Sequence, residues 1–252
     1  VTTSGGTGRQ LSTIRPTNGK WYAEFYVADG TRFSVGIENG NRTYSTQGGS
    51  DTNSVIVFYS QNAYYNGTSY GSYLSANITT GDIVSVAMDV DNQLVFIGVN
   101  GVWQNSATQA EIEAATSTNS LGAHVSATAS TLFQDDMAIF TEDNSGSGAM
   151  ASIANFGQDS TFAGAKAIGS YTDDSGYGTF QYEVPSGFKS LNTLNLDTPT
   201  IVDGSEYFNT VLYTGNGSTQ SITGVGFGSS PDLVWIKDRG AGEHHGLFDT
   251  IR

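Results

Sequence analysis

The sequence predicts an all-β protein made of antiparallel strands joined by tight turns. Glycine, which breaks helices, occurs 32 times in 252 residues, while tyrosine and phenylalanine, which favour pleated surfaces, occur 13 times each. Apolar and polar residues alternate with a period of two in several stretches, as in a strand with one buried face. Asn-Gly pairs separate some of these stretches, and this dipeptide is the strongest short-range signal for a β-hairpin.

Residues 82–103 carry the clearest of these patterns. Alternate positions from 84 to 90 are apolar, and turn-forming residues then lead into a second apolar run at 94–99. The pair Asn100-Gly101 follows, which suits a type I′ turn because both central residues of that turn need a positive φ. Since Val102 begins another extended run, this stretch predicts a three-stranded antiparallel meander.

The residues before this meander predict three more strands and a hairpin. In residues 20–27, Trp21 and Phe25 face one side of a strand while Tyr22 and Glu24 face the other. The remaining segments are strands at residues 32–37 and 55–59 and a hairpin at residues 64–67.

The residues after the meander predict one helix and three further strands. Residues 106–120 have the composition of a helix, with Ser106 as its N-cap. A polar insertion at residues 158–177 separates the last two strands. The strands are predicted at residues 137–140, 149–156 and 178–184.

A change in composition predicts a domain boundary. Periodicity disappears in a stretch rich in Asn, Asp, Thr and Pro, and a new pattern then predicts a hairpin, residues 207–227, and a third strand, residues 231–237. Residues 206–252 are too few to bury a core of ordinary size. We therefore expect them to pack on the first domain, to pack on a partner chain, or to begin a longer domain. The predicted organisation is a β domain, a linker and the start of a second β module: residues 1–191, 192–205 and 206–252.

Composition excludes several classes of partner. The formal net charge is −14, with ten Lys and Arg scattered along the chain, whereas a nucleic-acid surface needs clustered basic residues. Anionic membranes are disfavoured for the same reason, and no run of about 18 apolar residues predicts a membrane span. The chain has no cysteine, which removes disulfides, a Cys nucleophile and thiolate metal sites.

Five segments, in this order, resemble the SPRY domain family. The resemblance covers residues 1–190 and implies a concanavalin-like antiparallel β-sandwich. Ser85 stands where the family usually has glycine. Two segments, residues 106–148 and 158–177, are longer than in a minimal domain of the family. The family's recognition residues lie in such loops, so they cannot be assigned to positions in this chain. The segments are residues 20–27, 33–37, 81–89, 94–102 and 154–158.

The C-terminal part is similar to a module that follows SPRY-like domains in large virion proteins of tailed bacteriophages. Residues 211–217, 226–227 and 231–237 carry this resemblance, after the sandwich ending at residues 185–192. It implies a fragment of a phage structural protein of the tail-fibre, appendage or capsid-decoration type, continuing beyond Arg252.

No catalytic residue is predicted. Residues 67–71 match the G-x-S-x-G pattern, but a nucleophile elbow needs a following helix and this stretch follows a hairpin turn. Glycosidases need two convergent carboxylates, and Glu24 is the only glutamate firmly placed in a predicted strand. We therefore expect a protein that is not an enzyme.

No metal or other cofactor is predicted either. Several acidic or histidine pairs offer oxygen or nitrogen ligands. Calcium needs six or more oxygens from several segments, so calcium at Asp135-Asp136 and Glu142–Asn144 is left open without being predicted. Adjacent histidines on an extended chain point to opposite faces and do not easily bind one ion. The pairs lie at Asp89–Asn92, Asp135-Asp136, Glu142–Asn144 and Glu243–His245 with Asp249.

A group of tyrosines is the candidate contact site. Tyr64, Tyr65, Tyr70 and Tyr73 could stack on sugar rings or on a partner protein, since an aromatic ring offers an apolar face and a polar handle. The competing interpretation is that about half of such rings belong to the core or to a sheet face.

Three hypotheses about function follow. The preferred one is a non-enzymatic virion protein on the outer surface of a phage particle, binding other virion proteins and further copies of itself, with a host-surface glycan as an additional ligand. A secreted lectin or glycan-active enzyme on the same fold is the alternative. A cellular peptide-binding SPRY adaptor is disfavoured by the long insertions and the second module.

Overall fold

The computed structural model describes residues 2–4, 8–30, 32–42, 47–126, 129–143, 149–198, 200–226 and 231–249. The chain forms two compact units, Val1–Leu196 and Asp197–Arg252. The division between them falls within the stretch predicted as a linker, residues 192–205.

The first unit is a sandwich of two antiparallel sheets, which confirms the predicted fold class. Sheet A has the strand order β1-β12-β3-β8-β9-β10, and β15 pairs with β3 in parallel. Its strands are β1 (Thr2–Ser4), β3 (Lys20–Asp29), β8 (Ile83–Asp89), β9 (Leu94–Val99), β10 (Val102–Trp103), β12 (Ala149–Asn155) and β15 (Lys189–Ser190).

Sheet B completes the sandwich with the order β2-β11-β4-β5-β6-β7. Its strands are β2 (Arg9–Leu11), β4 (Phe33–Asn39), β5 (Ser54–Phe58), β6 (Asn62–Tyr65), β7 (Thr68–Ser72) and β11 (Met137–Asp143).

The core lies between the two sheets and follows the predicted alternation. Trp21 and Phe25 of β3 belong to it, while Tyr22, one residue along, packs on the opposite face of sheet A. Val35 and Ile37 of β4 face the same core from sheet B. Both sheets thus bury one face against each other, as an aligned sandwich requires.

Two predicted hairpins are confirmed by their turn conformations. Asn100 and Gly101, with φ of 50° and 78°, connect β9 to β10, and Asn66 and Gly67, with φ of 49° and 72°, connect β6 to β7. Positive φ at both positions defines the type I′ turn that Asn-Gly favours. The meander of β8, β9 and β10 forms as predicted.

The predicted helix forms, but its N-cap was misplaced. Helix α1 spans Gln109–Glu113 and is capped by Thr108, whose side chain and that of Glu111 form a reciprocal capping box. Ser106 has a φ of 63°, and an N-cap residue needs extended backbone, so it cannot cap. Two short helices were not predicted: α2, Leu121–His124, and α3, Ala129–Leu132.

The predicted strand at residues 178–184 is wrong for most of its length. Only β14, Thr179–Phe180, forms ladder pairs, with β13, Tyr171–Thr172. The backbone of the next residues bonds instead to the side chain of Glu24, described below. Hydrogen bonds between a side chain and a backbone segment far away in the chain leave no local pattern in the sequence.

Within its described residues, the second unit contains one hairpin, β16 (Leu233–Ile236) with β17 (Gly246–Asp249). The predicted strand at residues 231–237 is thereby confirmed, whereas residues 207–226 form no strand and Phe227 lies outside the described residues. None of the residues described from 197 to 249 is buried, and strands without a buried face are marginal. Among the helices described in either unit, none has the length and apolar character needed to cross a membrane.

Candidate functional site

The structure separates the four candidate tyrosines. Tyr65 and Tyr73 are only 5% and 2% exposed and belong to the core between the sheets. The Tyr65 hydroxyl lies 3.0 Å from the Thr131 hydroxyl, and the Tyr73 hydroxyl donates to the Asn119 carbonyl. This placement corrects the prediction for these two residues, because a ring buried on both faces cannot stack on a ligand.

Tyr64 and Tyr70 remain partly exposed, but on different sides of sheet B. Tyr64 packs against Phe58 on the outer face of the sheet, with ring centroids 4.4 Å apart and ring planes tilted by 32°. Tyr70 packs instead against the core between the sheets. The two rings cannot therefore form one platform, and a contact with a partner through either of them stays a prediction.

A different aromatic cluster forms a cleft on the outer face of sheet A. We call it the aromatic cleft; its floor is Tyr22, Ser85 and Gly98, and its walls include Trp103, Tyr171 and Tyr182. Its volume is about 170 Å³. Ser85 lies opposite Gly98 in the pairing of β8 with β9, so neighbouring strands place the floor residues side by side.

Two glycines allow the walls to lie close to the sheet. A Cβ atom at Gly98 would come within 3.2 Å of the Trp103 ring, and one at Gly101 within 2.6 Å of the Tyr182 ring. Gly101 is the second residue of the type I′ turn, so the same turn that joins β9 to β10 also makes room for Tyr182.

Glu24 holds the wall that carries Tyr182. It is fully buried; its Oε1 accepts from the Tyr182 N–H at 2.9 Å and from the Tyr22 hydroxyl at 3.0 Å. Its Oε2 accepts from the Gln181 N–H at 2.9 Å. Burial raises the pKa of Glu24, although these hydrogen bonds oppose the rise, and burial beside Glu24 raises the pKa of Tyr22.

The rim of the cleft offers polar atoms to a ligand. Gln109 and Glu183 also line it, and Gln109 accepts a 3.4 Å hydrogen bond from the Trp103 indole. Within the described parts of the chain, nothing bonds the hydroxyls of Tyr171 and Tyr182 or the carboxylate of Glu183. Sequence reasoning missed Tyr171, Tyr182 and Glu183 because they lie outside the strands of sheet A and meet its outer face only in the folded chain.

Two of the acidic residues considered as oxygen ligands, Glu142 and Asp136, form ion pairs. Glu142 lies 2.6 Å from Arg9, which also contacts Glu38 at 3.0 Å, and Asp136 lies 2.8 Å from Arg15. Asn144 lies outside the described residues. These pairs give the carboxylates a structural role on the outer face of sheet B.

The other ligand candidates have similar local roles. Asp89 accepts from the Asn92 amide and pairs with Lys20 at 3.3 Å, as expected of a turn. In the second unit, His245 accepts a 2.6 Å hydrogen bond from the Trp235 indole. The residues that the structure describes hold no group of three or more His, Asp or Glu able to bind a metal ion.

The G-x-S-x-G match does not form a nucleophile elbow. Residues 67–71 run from the hairpin turn into β7, where Ser69 is exposed and pairs with Tyr64. Because no helix follows, the serine lacks the strand-turn-helix context on which that motif depends.

The comparisons with known proteins each match only part of the chain. A family model described as a domain of unknown function, DUF7483, matches residues 203–252. No curated protein matches the chain. Among solved structures, the chain is similar to the SPRY domain of human HERC1, with a TM-score of 0.43, 19% identity and coverage of 60% of this chain and 82% of that one. The sandwich assignment rests on the strand order of this chain itself.

Proposed function

We propose that this chain is a non-enzymatic binding protein of a bacteriophage virion, of the tail-fibre, appendage or capsid-decoration type. The binding function rests on one observation: an open cleft lined by aromatic rings, with polar atoms that no described residue occupies, on the outer face of sheet A. The location on a particle rests on the resemblance of residues 211–237 to a phage module.

The placement of the carboxylates supports a function without catalysis. Glu24 lies on the outer face of sheet A, where both of its oxygens hold backbone or phenol groups. Glu142 lies on sheet B and is paired with Arg9, and Asp135 lies two residues before β11. A glycosidase needs two carboxylates about 5–10 Å apart across one bond, and Glu24 lies on the opposite sheet from Glu142.

The second unit supports assembly with other virion proteins or with further copies of the chain. Its large apolar side chains are exposed, and contiguous exposed apolar surface marks interaction sites. They include Tyr207, Phe208, Leu212, Leu233, Trp235, Leu247 and Phe248.

A secreted lectin is the second candidate, because the aromatic cleft would serve it equally well. The two differ in whether the protein is attached to a particle. An adaptor inside a cell would need a peptide ligand, and no observation favours that function.

The proposal is tested by asking where the native protein resides. Particles from a culture that produces the chain are banded in a density gradient, and each fraction is analysed by peptide mass spectrometry. We expect peptides of the chain in the band that contains the major capsid protein, in constant ratio to it. Recovery only in particle-free medium would favour the lectin, and recovery only inside cells would contradict both.

A further inference from the structure

We propose that the aromatic cleft binds one neutral sugar ring. Trp103, Tyr171 and Tyr182 would contact the apolar face of the ring, while Gln109 and Glu183 would bond its hydroxyl groups. The inference rests on the proposed binding function, because it names the ligand of that surface. It moves the glycan contact away from Tyr64, Tyr65, Tyr70 and Tyr73 to the opposite sheet.

The size of the cleft favours a single small ring. Its volume of about 170 Å³ lies below the range of about 300–1,000 Å³ that holds drug-sized ligands. A peptide or an extended oligosaccharide would leave most of its length outside. The terminal unit of a glycan, presented at the end of a chain, fits this geometry.

The chemistry of the walls favours a ligand with both apolar and hydroxyl surfaces. Aromatic rings offer an apolar face with a polar tip, and a pyranose offers C–H groups on its faces and hydroxyls around its edge. Burial, with the charges of Glu24 and Asp82, raises the pKa of Tyr182, so its phenol stays protonated and can donate to a hydroxyl oxygen. Gln109 can donate and accept, and Glu183 can accept two hydrogen bonds.

Charge favours a neutral sugar over an anionic one. Glu183 lines the cleft, Glu24 lies beside its floor on the same face of sheet A, and the lining described here includes no lysine or arginine. The whole chain carries a formal charge of −14, which repels anions at longer range. A carboxylate or sulfate on the sugar would therefore meet like charge without a compensating cation.

The cleft is also preorganised, which reduces the cost of binding a small ligand. Gly98 and Gly101 leave room for two walls to lie close to the sheet, and Glu24 holds the backbone of the Tyr182 wall through hydrogen bonds. A single ring has few contacts with which to order mobile loops, so a site of this size depends on such rigidity.

The test uses the full chain and simple sugars as probes. Saturation-transfer NMR and isothermal titration are run with the methyl glycosides of glucose, galactose, mannose and N-acetylglucosamine, and with glucuronic acid as the anionic probe. We expect at least one neutral glycoside to bind, more tightly than glucuronic acid.

Two variants and a matched control locate the site. Tyr171→Ala removes an exposed wall ring and should weaken binding of the neutral glycoside at least tenfold. Tyr177→Ala removes a ring that is 57% exposed and outside the cleft, and should leave affinity within twofold. Glu183→Gln keeps the side-chain shape on an exposed position, should weaken binding about threefold, and provides a second variant if Tyr171→Ala does not fold.

Three results would overturn the inference: no binding of any neutral glycoside, preference for glucuronic acid, or affinity unchanged in both Tyr171→Ala and Glu183→Gln. None of these results alters where the native protein is found in the density gradient. Failure of the sugar inference is therefore distinguishable from failure of the proposed virion function.

Discussion

At the scale of single residues, two buried carboxylates hold the C-terminal segment of the sandwich. Asp173 accepts from the backbone N–H groups of Ser190 at 2.6 Å and Gly178 at 3.1 Å, and from the Ser175 hydroxyl at 2.9 Å. Burial alone would raise its pKa, but the hydrogen bonds from Ser190, Gly178 and Ser175 together lower the pKa of Asp173 to about 2. Ionised Asp173 therefore stabilises the folded chain.

Asp173 predicts a loss of stability in acid. The pKa of Asp173 is about 2 in the folded chain and about 4 in the unfolded chain. The stabilisation by ionised Asp173 is therefore complete above about pH 4 and is lost as the pH falls through about 2. Urea unfolding between pH 5 and pH 2 should show a contribution of about 2 kcal/mol that Asp173→Asn lacks. An identical pH dependence in the variant would show that other carboxylates are responsible.

Glu24 is expected to contribute to stability through the groups it satisfies. Glu24→Ala leaves the backbone N–H groups of Gln181 and Tyr182 without their acceptor, which should lower the free energy of unfolding by about 2–4 kcal/mol. The Tyr22 hydroxyl keeps Ser85 as a partner at 3.0 Å. Glu183→Ala is the control, since that carboxylate is exposed and should cost about 0.5 kcal/mol or less. Equal losses in chemical denaturation would mean that Glu24 has no anchoring role.

At the scale of elements, the hairpin between β9 and β10 positions the cleft as well as the strands. Gly101→Ala would place a methyl group 2.6 Å from the Tyr182 ring in a backbone with a φ of 78°. Gly71 has nearly the same φ, 79°, but nothing within 4 Å of its Cβ position. Gly71→Ala is therefore a control that introduces the same backbone strain but displaces no ring.

Both substitutions should lower stability through backbone strain by about 1 kcal/mol, and Gly101→Ala by about 1–2 kcal/mol more because a ring must move. Thermal unfolding followed by near-ultraviolet circular dichroism measures both effects, since Tyr182 and Trp103 contribute to that signal. Indistinguishable melting temperatures would contradict the close approach of Tyr182 to the turn.

Elements with local sequence signals could be predicted, and elements held by distant residues could not. The Asn-Gly hairpins at residues 66–67 and 100–101 and the alternation in β3 are local signals, and the structure confirms them. The hairpin predicted around Asn216-Gly217 is wrong, because the described residues 207–226 form no strand. The segment after Phe180 was predicted as a strand because it alternates, yet its backbone bonds to Glu24, more than 150 residues earlier. The cleft was missed for the same reason, since its walls meet only after the sandwich has formed.

At the scale of the whole molecule, the two units differ in how they bury apolar surface. The first has a core between its sheets, while no residue described in the second is buried. Light scattering on the full chain is therefore expected to give a mass above that of a monomer, and a chain of residues 1–191 to give a monomer. If the full chain and residues 1–191 are both monomeric, the exposed apolar residues of the second unit do not drive self-association.

The parallel pairing of β15 with β3 sets the order of events during synthesis. Lys189 pairs with Trp21, so one of the last strands of the sandwich completes its first long strand. Non-local pairs of this kind slow folding, because loop-closure entropy is lost before the contacts form. A nascent chain cannot close this edge of β3 until residue 190 has left the ribosome. Translation pauses before that point would prolong exposure of an unpaired strand edge, and with it the risk of aggregation.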